Sequence, residues 1–181
     1  MNPRTGTLAV AASLTAMLAA CSTPTVKTDF DPSAQFATYR TYTWIDKPTG
    51  GSPLMQQRLV DGVGAKLQAK GWRPAPDGDV RIAAHVTTQE RQDYTTYYNN
   101  VGYRGWGWGG FGPGMATTTS YTYEVGTLII DMFDARSKRA IWRGTASETL
   151  PDNSDKLPQL LQTSLDKMFA DFPPGSSAPK K

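Results

Sequence analysis

The chain is poor in the residues that most often carry chemistry: among its 181 residues there is one cysteine, Cys21, and one histidine, His85. A single cysteine closes no disulfide within the chain, and a single histidine excludes a histidine-based zinc site or a relay of several imidazoles. Stability must therefore come from apolar burial and sheet hydrogen bonds. Charge of one sign is lacking too, with 19 basic against 16 acidic residues. The basic residues are scattered among acids, in short groups such as Lys138-Arg139 and Lys180-Lys181, without the concentrated basic face that nucleic-acid binding calls for. There is no Gly-rich phosphate loop ending in Lys-Ser or Lys-Thr, and no Gly-x-Ser-x-Gly elbow. Beyond the first twenty residues no apolar run approaches the length that crosses a bilayer.

What is present begins at the N-terminus. Arg4 is the sole charge before a short apolar core, Leu8 to Leu18, which leads into Leu18-Ala19-Ala20-Cys21. That layout predicts a secretory signal over residues 1–20 rather than a spanning helix. Small residues before the cysteine make the tetrapeptide a lipobox, and the start resembles that of bacterial lipoproteins. In those proteins a dedicated peptidase cuts before the cysteine, whose sulfur carries diacylglycerol and whose new amino group is acylated. The resemblance implies that Cys21 is the first mature residue and the lipidation site, which leaves no free thiol. Residues 21–27 are then a short polar tether, and about 160 residues remain, enough for one ordinary domain. Ser22 replaces the Asp that commonly retains such proteins in the inner membrane. By resemblance to that sorting rule, the expected location is the periplasmic face of an outer membrane.

The mature chain reads as strands, then a helix, then strands, then a helix. Val26 to Asp31 alternates and ends at Pro32, and Tyr39 to Ile45 is rich in aromatic and β-branched residues. Leu54 to Lys70 carries Met55, Leu59, Val63 and Leu67 at intervals of four, one stripe of a helix with Ser52 as N-cap, Pro53 in its first turn and Gly71 as its stop. Gly62 and Gly64 weaken it by up to about 1 kcal/mol each, tolerable where they mark close approach to a sheet. Asp79 to Gln89 alternates as a half-buried strand, and Tyr121 to Phe133 and Lys138 to Leu150 form a hairpin about Asp134-Ala135-Arg136-Ser137. On the returning arm Ala140, Trp142, Gly144 and Ala146 are expected to share one face, with Trp142 as a core anchor. Leu157 to Phe172 is an amphipathic helix stopped by Pro173-Pro174-Gly175, and residues 174–181 read as a disordered tail. The pattern predicts an α+β domain over residues 28–173, a mainly antiparallel sheet with two amphipathic helices packed on one face.

Several local patterns carry a resemblance over nearly the whole mature chain. They are the lipobox, then Asp29-Phe30-Asp31 with Phe36 and Thr41-Tyr42-Thr43-Trp44, then Lys70-Gly71-Trp72 before Asp79-Val80. Glu124-Val125-Gly126-Thr127-Leu128-Ile129-Ile130-Asp131 leading to Asp134, Ile141-Trp142-Arg143-Gly144 and Phe172-Pro173-Pro174 follow. In this order they resemble the bacterial lipoproteins of domain of unknown function 4136. The resemblance implies an envelope lipoprotein and supplies no catalytic residues.

Candidate chemistry is sparse. His85 falls on the more polar face of its strand, where a sheet-face residue without special role is the simpler reading than an acid or base. Asp131 and Asp134 are an odd number apart, so they point to opposite faces, and Asp134 sits where a turn wants Asp. Asp29 and Asp31 share a face by spacing, the pattern of a weak cation site or acid pair, although a turn at Pro32 explains Asp31 equally. The segment from about 95 to 120 is different: Tyr97, Tyr98, Tyr103, Trp106, Trp108 and Phe111 are interleaved with glycines. It reads as a loop too Gly-rich for a core strand, whose rings suit sugars, apolar protein groups or a membrane interface. A low-complexity hairpin extension without a ligand is the plain alternative.

These readings predict a lipid-anchored envelope domain, not an enzyme, that works by binding or by supporting an assembly. It needs no cofactor or metal. Its partners are the membrane, through the N-terminal lipid, and an envelope protein or glycan at the aromatic loop. A periplasmic hydrolase of glycan or peptide, using Asp29, Asp31 or Glu124, is one alternative. A small-ligand carrier with an apolar cavity between helices and sheet is another.

Overall fold

The computed structural model describes residues 23–98 and 116–174. Among the described residues six strands form one mixed sheet: β1 (Thr25–Phe30), β2 (Thr41–Trp44), β3 (Arg73–Pro74), β4 (Val80–Tyr98), β5 (Ala116–Asp134) and β6 (Ala140–Thr149). Their spatial order is β1-β6-β5-β4-β2-β3. The pairs from β1 to β4 are antiparallel, while β2 runs parallel to both β3 and β4. Two helices, α1 (Pro53–Ala69) and α2 (Leu157–Met168), complete the expected α+β fold. Helix α2 packs over β1 and β6, and α1 over the β3 side.

Local chemistry explains the elements. The Ser52 hydroxyl accepts from the Met55 N–H at 3.3 Å with Pro53 in the first turn, so α1 starts where its cap dictates. At its other end Gly71 takes φ +86°, letting its N–H reach the Gln68 carbonyl and the Trp72 N–H reach that of Leu67. This Schellman closure satisfies two helix carbonyls and turns Trp72 into the core. Within α1, Gly64 lies against the Tyr42 hydroxyl of the sheet as expected, whereas Gly62 makes room for Leu165 of α2. The two helices meet there and at the Lys66–Asp166 ion pair.

The core is one cluster in which β4 (Val80, Ile82), β5 (Ile130, Met132), α1 (Leu59, Val63, Leu67) and α2 (Leu165, Met168) interdigitate. At its far end Phe172 touches four rings, those of Phe36, Trp72, Trp142 and Phe169, with centroids 5.4–5.9 Å apart.

Three boundaries and one strand face differ from the sequence reading. Strand β1 begins at Thr25, so residues 25–27 belong to the sheet and not to the tether. Helix α2 ends at Met168, and Phe169 and Phe172 fill the core from the turns that follow. Ala140 does not share a face with Trp142: an irregularity pairs Phe133 with Ala140 but Met132 with Trp142, so both Ile141 and Trp142 are buried and Ala140 is exposed. Trp142, Gly144 and Ala146 do share the core face. Finally β4 and β5 pair continuously out to Tyr98 and Ala116, well into the segment read as a loop.

Candidate functional site

One end of the sheet gathers the features of interest. Thr25 pairs with Ser147, Ser147 with Thr127, and Thr127 with Thr87, so these residues lie level across four strands. The chain enters the fold at that level. Past it, β6 ends at Thr149 opposite Val125, and from Glu90↔Glu124 to Tyr98↔Ala116 the strands β4 and β5 continue as a two-stranded ribbon of nine pairs. The side chains of Glu90 to Thr96 are all exposed, and Tyr94 and Tyr121 are 68% and 74% exposed. Such a ribbon has no core of its own and is marginal in water. Its base places Glu90 directly opposite Glu124, a like-charge pair that adds nothing to its stability.

The candidate binding residues divide accordingly. The backbones of Tyr97 and Tyr98 lie on β4, a correction to their placement in a loop, because Thr and Tyr pair readily across an antiparallel ribbon. Tyr103, Trp106, Trp108 and Phe111 lie outside the described residues, as does Cys21.

Beneath the ribbon's base, a cleft of about 240 Å³ opens between the first turns of both helices and the sheet. Met55, Val86, Leu150, Leu157, Leu160 and Leu161 line it, all half-buried, with Glu148 and Ser164 among its few polar neighbours. Its origin lies in the helix stripes. Leu59, Val63 and Leu67 are covered where the helices meet, but Met55 and the first leucines of α2 run past that contact. The sequence carried this signal as an apolar stripe at the start of α2, and pattern alone gave no means of knowing that part of it stays uncovered.

The opposite end holds a polar cleft of about 410 Å³ that includes Asp31, Asp79, Asp134, Tyr39 and Arg139. Each carboxylate there serves the fold. Asp31 accepts from the Ser33 N–H and hydroxyl and pairs with Arg139. Asp79 accepts from the Arg40 and Thr41 N–H groups at 3.0 Å and from the Thr41 hydroxyl. Asp134 takes the Ser137 and Arg136 N–H groups of its turn and the Tyr39 hydroxyl. Sequence reasoning missed Tyr39 and Asp79 because their partners lie tens of residues away.

These bonds hold all three carboxyls below their ordinary value of 3.8, through Ser33, Arg40 and Ser137 respectively. Burial, reinforced by Asp134, pushes the Tyr39 phenol up to about 12. The lowered groups stabilise the fold fully above their unfolded values and lose that contribution as pH falls through the folded ones. The raised phenol contributes fully below about pH 10 and loses its share as pH rises through the folded value. Thermal unfolding is therefore expected to be level through neutral pH and to drop below about pH 4, with Asp79→Asn blunting the acid limb. An acid limb unchanged by that substitution would contradict the assignment.

Other expected acids do not assemble. Asp29 accepts from the Phe30 N–H, Asp131 forms a two-pronged pair with Arg143 (2.5 and 2.8 Å) on the outer sheet face, and Glu124 lies at the ribbon base. Asp29 and Asp31 are two residues apart at the end of β1 but each is held by its own partners, and Glu124 lies at the other end of the sheet. Among the described residues no group of three acids, histidines or cysteines could hold a metal ion. His85 is exposed, and its Nδ1 lies 3.3 Å from the Thr49 hydroxyl, where residue 49 bridges to β4. Among the described residues, no helix is long and apolar enough to cross a membrane.

Comparison with solved structures supports the architecture alone. A PDZ domain protein from Parabacteroides distasonis superposes with TM-score 0.54 at 14% identity, over 86% of this chain. This chain spans 37% of the length of that protein. The PelC dodecamer subunit of Paraburkholderia phytofirmans gives TM-score 0.49 at 14% identity, covering 81% of this chain and 96% of its own. No curated protein matches the sequence. A family model does, over residues 26–174 and so over almost all of the described structure: the chain belongs to the family described as domain of unknown function (DUF4136).

Proposed function

We propose that this chain is a lipid-anchored domain of the bacterial cell envelope that works by binding, with Cys21 as the acylated anchor and the β4–β5 ribbon as its contact arm. One observation carries the reading. The chain enters the sheet at Thr25, at the end from which an unsupported nine-pair ribbon projects, and a ribbon whose side chains are exposed from residues 90 to 96 and 118 to 122 is most simply explained by something that it contacts. The residues at the other end are committed to turns and caps, which supports a non-catalytic role. An outer-membrane periplasmic location rests on Ser22 following the cysteine.

The test is in-cell crosslinking with affinity purification. A shortened variant joins Gln92 to Thr122, which are cross-strand partners, through an Asn-Gly turn that suits a two-residue hairpin. At matched abundance the native chain is expected to capture an envelope component, whether lipid, protein or glycan, that the shortened chain loses. Equal capture by both would remove the ribbon from the account.

The apolar cleft favours a second reading, a carrier of a small apolar ligand. Its position between helices and sheet is where such a ligand would lie. Binding of anilinonaphthalene sulfonate to the full chain is expected to weaken roughly tenfold in Leu161→Gln, the loss of about 1.4 kcal/mol of apolar contact. No binding by the native chain would set the carrier reading aside.

A further inference from the structure

We infer that the distal half of the ribbon, from Tyr94 and Tyr121 outward, docks on the headgroup–acyl boundary of the membrane that holds the anchor. This deepens the proposed function and rests on acylation of Cys21. The first argument is reach. From Thr25 back to Cys21 there are four residues, at most about 14 Å of chain at full stretch. From Thr87, level with Thr25, strand β4 runs on to Tyr98, a rise of about 36 Å. The ribbon therefore extends past the farthest point at which the anchor can hold the surface, in the same direction, and meets it by abutting it or by lying along it.

The second argument is a charge gradient. The charges of Glu90, Arg91, Asp93 and Glu124 stop at the level of the Asp93–Tyr121 pair, and from Tyr94 to Tyr123 the only charged residue is Arg104. The described distal stem is made of Tyr, Thr, Ser and Ala. Hydroxyl-rich, ring-bearing and uncharged, it has the composition of the interfacial zone rather than of the hydrocarbon core, whose entry by an open two-stranded ribbon would leave its edges unpaired. Tyr94 and Tyr121 belong to neighbouring cross-strand pairs, so they project from opposite faces, and each is largely exposed. A ribbon lying along the surface sets one of these rings against it, and a ribbon that abuts it end-on sets both.

The experiment uses the chain extracted from membranes, and the mass of its N-terminal peptide first establishes whether Cys21 is acylated. With that thiol occupied, Tyr94→Cys, Tyr121→Cys and Arg136→Cys each offer one labelling site for an environment-sensitive fluorophore, Arg136 lying in the turn at the opposite end of the sheet. In vesicles of phosphatidylethanolamine and phosphatidylglycerol, lipid-borne bromine is expected to quench the label at residue 94, 121 or both at least threefold more than at 136. An acylated chain whose three labels are equally open to aqueous iodide would overturn the docking while leaving the anchor intact. An unacylated Cys21 would overturn both. Protection of the label in native envelopes but not in lipid vesicles would assign the ribbon to a protein partner instead and would also overturn the inference.

Discussion

Phe172→Ala is expected to lower unfolding free energy by about 3–5 kcal/mol, a large part of the stability of a single domain. Phe172 is 1% exposed and stands at the junction of four rings, so truncation leaves a cavity that none of its neighbours can fill without losing an edge contact of its own. Those neighbours come from four separate segments: the turn at Phe36, the end of α1 at Trp72, β6 at Trp142 and the end of α2 at Phe169. Losing Phe172 therefore loosens the closure of the C-terminal segment on the whole sheet. Chemical denaturation checks this, and a loss under about 1 kcal/mol would mean that the segment after α2 is not part of the cooperative core.

Gly50→Ala is expected to cost about as much, by a different route. Gly50 has φ +80°, for which an alanine incurs about 1–2 kcal/mol. A Cβ there would also stand 1.9 Å from the Val86 carbonyl oxygen, a backbone atom that no rotamer change can move. Overpacking of this kind adds about 1–3 kcal/mol. The Val86 N–H donates to the Thr49 carbonyl at 2.8 Å, so relief of the clash must break the seam between residues 49–50 and β4. Gly51, Ser52 and Met55, which follow directly, border the apolar cleft. The variant should thus lose both stability and dye binding, whereas Leu161→Gln should lose mainly the latter. Equal stability of Gly50→Ala and the native chain would contradict the geometry of this turn.

Much of the fold was legible because its signals are local. Ser52, Pro53 and Gly71 bound α1 by capping chemistry that acts within a turn or so of each residue, and the period-two alternation of Val80, Ile82 and Ala84 marks a strand whatever its neighbours. Three features were not local. Strand order depends on pairing between distant segments, such as Thr25 with Ser147, which alternation does not encode. The shift that exposes Ala140 and buries Ile141 arises from a mismatch between β5 and β6, visible only once they are paired. The segment from about 95 to 120 reads as a loop or a hairpin extension because its glycines and aromatic residues look unfit for a core strand, and the strands that lead into and out of it pair with each other beyond the core. Of the candidate site, Cys21 and the aromatic segment could be named from sequence. That Thr25 enters the sheet at the end from which the β4–β5 ribbon projects could not, because it follows from the register of four strands.

The intact mass of the chain extracted from membranes tests the account at its root. A mature species beginning at Cys21 and carrying diacylglycerol and an N-terminal acyl group is the predicted result, with Cys21→Ser leaving the membrane fraction. A species with a free Cys21 thiol, or one cut elsewhere and found in the soluble fraction, would contradict it, because the ribbon would then have no membrane to face.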